Sequence, residues 1–407
     1  MRVLVAHNRY QQPGGEDTVY AAEAALLEER GHVVVRYEAD NDDVAAMGRG
    51  ELALATLWNA RSYRDVRALI RRTRPDVLHA HNTFPLISPA VYYAARAEDV
   101  PVVQTLHNYR LVCPSAVLFR AGAVCEACVG RAVALPGVAH ACYRRSRVQS
   151  LAVASMLAIH RAARTWSDAV GVYVALTEGA REVFVRGGLP ADRVVVKPNF
   201  VHPDPGVGAH GGGFALFVGR VAEEKGVGVL LEAWRRLGAD VPLKVVGDGP
   251  LRRELEALGT PGVEWLGPLD RGRVLQLMQD ARFLVVPSVW REPFGMVVAE
   301  AFAVGLPAVV SDVGALGELV EHRGTGLRFA AGSADALAAQ VRWLLEHPEV
   351  VPAMGAEARR VYAARFTADA NYGLLLGVYE RAVAQRRSAT TPVPVGPRLP
   401  AAAPAKR

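Results

Sequence analysis

The sequence predicts two α/β domains, each a doubly wound parallel sheet, on three observations. Short runs of Val, Ile and Leu alternate with longer helical patterns, as buried parallel strands do when crossover helices join them. These runs form two series separated by a segment dense in Pro and Gly. The chain has 407 residues, room for two or three domains at roughly 150 residues each.

Taken in order, the first series places strands near Val3 to Ala6, Val33 to Tyr37, Val77 to His81, Val102 to Leu106, Val172 to Leu176 and Val194 to Val196. The stretch 201–213, with Pro203, Pro205, Gly206, Gly208 and Gly211 to Gly213, breaks any regular element and reads as a linker. The second series runs near Phe214 to Val218, Leu243 to Val246, Val263 to Leu266, Phe283 to Val286, Ala308 to Val310 and Leu327 to Phe329. A helix from about Ala368 to Gln385 follows, and the Pro-rich tail 386–407 is expected to be disordered. The expected domains are therefore 1–200 and 214–367, with the terminal helix packing back towards the first. Ligands in such folds bind beyond the carboxyl ends of the strands, so the chemistry belongs in the loops that follow them.

Composition narrows the class further. Apolar residues make up 51% and charged residues 22%, ordinary globular usage that excludes a disordered or fibrous chain. No run approaches about 18 apolar residues; the longest is Leu151 to Ile159, interrupted by Ser155. The N-terminus lacks a signal-peptide pattern, and a cytoplasmic protein is expected. The net charge of +6 sits on the first half, with 24 basic against 19 acidic residues in 1–200, and on the tail. Only four of the basic residues are Lys, so the Arg excess reads as coding bias, and nucleic acid is not an expected partner.

Two segments carry the chemistry. After the strand ending at Val218, Gly219-Arg220 and Lys225-Gly226 bring two cations and the free N–H groups of a helix start to one spot, a site for a diphosphate. After the strand ending at Val286, Glu292-Pro293-Phe294-Gly295-Met296 leads into a helix over Val297 to Val304 that bears Glu300. Two carboxylates and the amides of Phe294, Gly295 and Met296 could then hold hydroxyls along an elongated polyol. Each segment also has a plain reading, as surface charges or as acids favoured near a helix start.

Together these motifs resemble the retaining glycosyltransferases of family 4, over about residues 1–385. The resemblance implies the GT-B fold, two Rossmann-like domains facing a cleft, and a nucleoside diphosphate sugar as donor. It assigns the diphosphate to Arg220 and Lys225, the donor sugar to Glu292 and to the amides of Phe294, Gly295 and Met296, and the ribose to Glu300. Gly14 and Gly15 match the family's glycine loop near the diphosphate, and His107 matches its cleft histidine. Asn108 stands where many members have Asp. His79 and His81 also end a strand and read as structural or acceptor-side. The implied reaction is metal-independent hexosyl transfer to an acceptor hydroxyl in polysaccharide, glycolipid or glycoside biosynthesis. A GT-B epimerase acting on the same donors, a glycosidase with paired carboxylates and a non-catalytic nucleotide-sugar-binding subunit are the rivals.

Other patterns fail their context. Gly206, Gly208 and Gly211 spell a dinucleotide fingerprint but lie in the linker. Asp40-Asn41-Asp42 spells a metal-binding D-x-D but sits where a turn is expected. Arg61, Arg64, Arg67 and Arg71 recur at helical spacing as a solvated face. Leu151 to Ile159, flanked by Arg144, Arg145, Arg147, Arg161 and Arg164, suggests peripheral membrane contact. Finally, Cys113, Cys125, Cys128 and Cys142 follow a C-x11-C-x2-C-x13-C spacing that could close a tetrahedral zinc site, with His140 as a substitute ligand. Free thiols or a disulfide are the alternatives.

Overall fold

A computed structural model of the chain describes residues 1–11 and 14–390. Its strands are β1 (Arg2–Arg9), β2 (Val33–Asp40), β3 (Val77–Asn82), β4 (Val102–Thr105), β5 (Phe119–Arg120), β6 (Ala123–Val124), β7 (Val172–Ala175) and β8 (Val194–Val196), followed by β9 (Ala215–Val218), β10 (Leu243–Val246), β11 (Val263–Gly267), β12 (Phe283–Val286), β13 (Ala308–Ser311) and β14 (Gly326–Phe329). One parallel sheet has the order β2-β1-β3-β4-β7-β8 and the other β11-β10-β9-β12-β13-β14, while β5 and β6 form a small antiparallel hairpin.

In each sheet the winding reverses beside its first strand, between β1 and β3 and between β9 and β12. Crossovers leave in opposite directions there, so the loops beyond those strand ends splay apart and open a crevice. The four loops that frame the two crevices follow β1, β3, β9 and β12. The register of β1 against β3 shifts between Ala6 and His7, turning the end of β1 just before the glycine loop.

Strands β3, β4, β7, β12 and β13 are buried along their whole length, and β7 and β12 for that reason read as continuous apolar runs. The helix Ala368–Thr390 returns to the first sheet, where Leu375, Val378, Tyr379 and Ala382 pack against Val3, Val5, Val103 and Val172. It continues beyond the expected end at Gln385, since Arg386 to Thr390 offer no helix breaker. The rest of the expected tail, 391–407, lies outside the described residues.

The segment 201–213 has no helix or strand but is not free of the second domain. Gly208 N–H donates to Val304 O at 2.9 Å, His210 N–H to Gln279 O at 2.8 Å and Gly212 N–H to Asp280 O at 2.8 Å. Asp40 accepts a bond from Asp42 N–H at 2.9 Å and caps the turn Asn41–Ala46. The four arginines of the helix Ala60–Thr73 differ from a purely solvated face: Arg67 and Arg71 share Glu98, at 2.5 and 2.9 Å.

Candidate active site

On the second domain, the loops after β9 and β12 meet through a partly buried ion pair. Lys225 Nζ lies 2.7 Å from Glu292 Oε1 although 67 residues separate them. Ser288 Oγ donates to the same oxygen at 2.5 Å. Burial pushes the Glu292 carboxyl up, but the Lys225 charge and the bonds from Lys225 and Ser288 outweigh it, leaving its pKa below the ordinary value. The loops are also in direct backbone contact. Gly226 has φ +68°, and a Cβ there would stand 1.9 Å from Pro287 O, so no other residue fits without moving one loop.

Gly295, at φ +93°, turns the chain into the helix Met296–Ala303, one residue earlier than the expected Val297. The first amides of that helix have no partner within it. The Phe294 side chain is core, packed on Phe366 with ring centres 5.7 Å apart, which leaves its backbone as the part available to a ligand. Glu300 Oε1 is 3.6 Å from Arg271 Nε; burial raises its pKa against the pull of Arg271. Arg220 pairs with Glu224 and keeps 57% of its side chain exposed, so its guanidinium can turn to an anion without breaking into the core.

On the first domain, Asp17 organises the glycine loop. It accepts from Gly14 N–H at 2.8 Å and from Tyr10 N–H at 3.3 Å, and meets His7 Nε2 at 2.8 Å. Gly15 then begins the helix Gly15–Glu29. A Cβ at Gly15 would lie 3.9 Å from Met296 Cγ, which places the glycine loop directly across the cleft from the Glu292 segment. Asn108, the departure from the family pattern, donates to Glu16 Oε1 at 2.7 Å. It thereby ties the loop after β4, where His107 sits, to the glycine loop.

His107 Nε2 and His81 Nδ1 are 3.0 Å apart with the rings stacked. Burial, with His7 and Lys197 adding to it against Glu23, drives the His107 pKa down to about 3, so the imidazole is neutral at pH 7. Behind it, Glu23 binds Lys197 Nζ at 2.9 Å and lies 3.8 Å from His81 Nε2. His79 bonds Tyr379 OH at 2.9 Å and Thr105 Oγ1 at 2.8 Å. Sequence reasoning missed Glu23, Lys197 and Tyr379. They come from three distant segments, and no local spacing signals their meeting. Glu23, His79 and His81 are, among the described residues, the group of three metal-type ligands whose atoms lie within 4.8 Å of one another. Lys197 on Glu23 and the two occupied nitrogens of His79 make it a hydrogen-bonded core.

Contacts between the domains border the cleft. Glu318 accepts from Gly179 N–H at 2.8 Å and Glu178 N–H at 3.1 Å, Thr177 Oγ1 donates to Pro293 O at 3.3 Å, and Arg291 Nε pairs with Glu126 at 2.9 Å.

The four cysteines are unbridged and line one small cavity. Burial, and then the neighbouring thiols, push the Cys128 thiol up to about 11. His140, which ends the short helix Leu135–Ala139, is exposed and lies outside that lining. The apolar run 151–159 belongs to the helix Arg147–Ala162, whose Val153, Ala154, Met156 and Leu157 are core. Val148, Leu151 and Ile159 remain exposed. Of the flanking arginines, Arg161 bonds Arg131 O and Gly187 O, and Arg164 pairs with Asp168. Among the described residues, no helix is long and apolar enough to cross a membrane.

Residues 13–205 match the family model Glycosyltransferase Family 4, and residues 207–361 match Glycosyl transferases group 1. The chain is 30% identical over 351 residues to the 2-deoxystreptamine glucosyltransferase of Streptomyces kanamyceticus, covering 83% of this chain and 86% of that protein. It is 37% identical over 161 residues to the D-rhamnosyltransferase WbpZ of Pseudomonas aeruginosa, a match spanning 38% of this chain and 42% of the relative. Among solved structures, Anabaena HepE in complex with UDP and glucose superposes with a TM-score of 0.68 at 17% identity, covering 93% of this chain and 100% of that one.

Proposed function

The chain belongs to the family 4, group 1 glycosyltransferases, and from that membership we propose that it moves a hexosyl unit from a nucleoside diphosphate sugar to an acceptor hydroxyl with retention of anomeric configuration. The observation that carries this reading is the Lys225–Glu292 pair at the switch point of the second sheet, faced across the cleft by Gly15.

Cleaving the anomeric bond builds negative charge on the diphosphate and positive charge on the sugar, so the site's main task is to stabilise phosphate oxygens. Lys225 and the exposed guanidinium of Arg220 supply that charge, together with the backbone at Gly14 and Gly15. No metal is required, because the two cations do the work a divalent ion would do. Glu292, held as a carboxylate by Lys225, orients the sugar hydroxyls, with the amides of Phe294, Gly295 and Met296 beside it. Glu300 takes the ribose. The acceptor enters on the leaving-group face, where the departing phosphate accepts its proton. His107, neutral and held by His81, borders this space and can donate or accept one hydrogen bond without adding charge.

A glycosidase would leave Arg220, Lys225 and the glycine loop without a task, since its carboxylates need only flank the bond. The exposed Val148 and Leu151, close in sequence to exposed Arg144, Arg145 and Arg147, suit peripheral contact with an anionic lipid surface. A panel of nucleotide sugars, with and without acceptor extracts, tests the proposal. Acceptor-dependent nucleotide release supports transfer. An altered free nucleotide sugar would mean an epimerase, and binding without turnover a non-catalytic subunit.

A further inference from the structure

All four cysteines fall between β4 and the helix Arg147–Ala162. That stretch holds little regular structure: the two-residue strands β5 and β6 and the helix Leu135–Ala139. Its backbone is nonetheless tightly specified, with Ala116, Leu118, Ala121, Ala141, Arg144 and Arg145 all at positive φ. Each such residue is strained and persists only where the surroundings over-determine it.

The cysteines occupy the corners of this stretch. Cys113 precedes Pro114, and Cys125 leaves the β5–β6 hairpin with its N–H on Leu118 O at 2.7 Å. Between Cys125 and Cys128 the chain turns, Val129 N–H reaching Glu126 O at 3.0 Å, and Cys142 N–H returns to Gly137 O at 2.9 Å. Three pieces of chain thus deliver four thiols to the wall of one cavity, without a disulfide.

We propose that Cys113, Cys125, Cys128 and Cys142 bind one structural zinc ion. Four thiolates are a closed zinc shell, and the C-x2-C pair supplies one edge of the tetrahedron. No three of the sulfurs lie mutually within 4.8 Å, whereas Zn–S bonds of about 2.3 Å set them roughly 3.8 Å apart. Loading therefore draws the side chains inward. His140, exposed, is not a ligand.

The site would anchor a strap across the cleft. Glu126, inside the C-x2-C loop, pairs with Arg186 at 2.8 Å on its own domain and with Arg291 at 2.9 Å on the other. Arg291 directly precedes Glu292. At the hairpin tip, a Cβ on Gly122 would lie 3.8 Å from Glu223 Oε1, in the loop that carries Lys225. One metal would so fix a contact with both donor-side loops of the second domain.

Elemental analysis of the full-length protein, purified under reducing conditions without added metal or chelator, tests the site independently of activity. About one zinc per chain is expected, with the four thiols resisting alkylation until a chelator is added. Chelation should open the segment 113–142 to proteolysis, and cobalt(II) should restore its protection with the absorption of tetrahedral thiolate coordination. Cys125→Ser should lose the zinc, whereas Glu126→Gln should retain it. Because Cys125→Ser could fail to fold, the wild-type thiol count decides. Folded, metal-free protein with four freely reactive thiols would overturn the assignment, as would iron in place of zinc or a disulfide between any pair.

Discussion

At the scale of single residues, the two cations have different surroundings and so different expected phenotypes. Arg220 is exposed and pairs with Glu224. Arg220→Ala should lower turnover at least about tenfold, several kcal/mol being a common cost for a lost transition-state partner, while the unfolding midpoint stays unchanged. Lys225→Ala should lower turnover similarly but also destabilise the fold, because it leaves the buried Glu292 carboxylate unpaired; steady-state kinetics and denaturation together separate the cases. Glu300→Ala should weaken donor and free-nucleotide binding, read by calorimetry, and Glu292→Ala should chiefly depress kcat. The motif residues were legible because each stands in a short local pattern. His107's setting was not. Glu23, His81, Lys197 and Tyr379 lie far apart along the chain, and only the packed fold brings them behind it. These histidines also set a pH dependence. His79, His81 and His107 all have pKa values lowered by burial, so the folded state keeps them neutral while the unfolded chain protonates near 6.5. Stability is complete above that value and should fall as pH drops below it, by about 1.4 kcal/mol per pH unit for each histidine that stays neutral. Denaturant midpoints from pH 8 to 5 check this, and a flat profile would contradict the neutral cluster.

At the scale of elements, strands were the most legible feature. Buried parallel strands such as Val172–Ala175 and Phe283–Val286 are apolar on both faces, and a continuous apolar run needs no periodicity to be recognised. Helix ends were less so: Met296 starts its helix only because Gly295 adopts φ +93°, and the last helix outruns its expected end. The arginines of the helix Ala60–Thr73 looked like one solvated face because Glu98, which binds two of them, belongs to another element. The donor loops make a sharper claim about element packing. Gly226→Ala would place a Cβ against Pro287 O at a positive φ, so it should cost more than about 1 kcal/mol of stability. It should also reduce donor affinity by displacing Lys225. Thermal unfolding and nucleotide titration of that variant give both readouts, and a variant indistinguishable from wild type would refute the close approach of the two loops.

At the scale of the molecule, the two domains meet through polar contacts and through the last helix, which packs on the first sheet. The sequence announced two series of strands and the break between them, but not how the halves meet. Thr177 with Pro293, Glu318 with Gly179 and Arg291 with Glu126 are invisible to local reading, since each joins segments more than a hundred residues apart. Glu318→Ala removes the acceptor for two N–H groups at the start of the helix Glu178–Arg186. It should loosen this contact between the domains, raising the KM for donor several-fold with a smaller change in kcat, and small-angle scattering should show a larger radius of gyration without nucleotide. The central claim concerns what lies between the domains: an activated sugar whose diphosphate sits at Arg220, Lys225 and the glycine loop. Its most direct test is nucleoside diphosphate release by the wild-type protein across a donor panel, with and without acceptor extract, followed by the anomeric configuration of the product. Acceptor-dependent release from one donor, with the configuration retained, is the result predicted here. Release of free sugar without acceptor, an inverted product, or no turnover of any nucleotide sugar would contradict it.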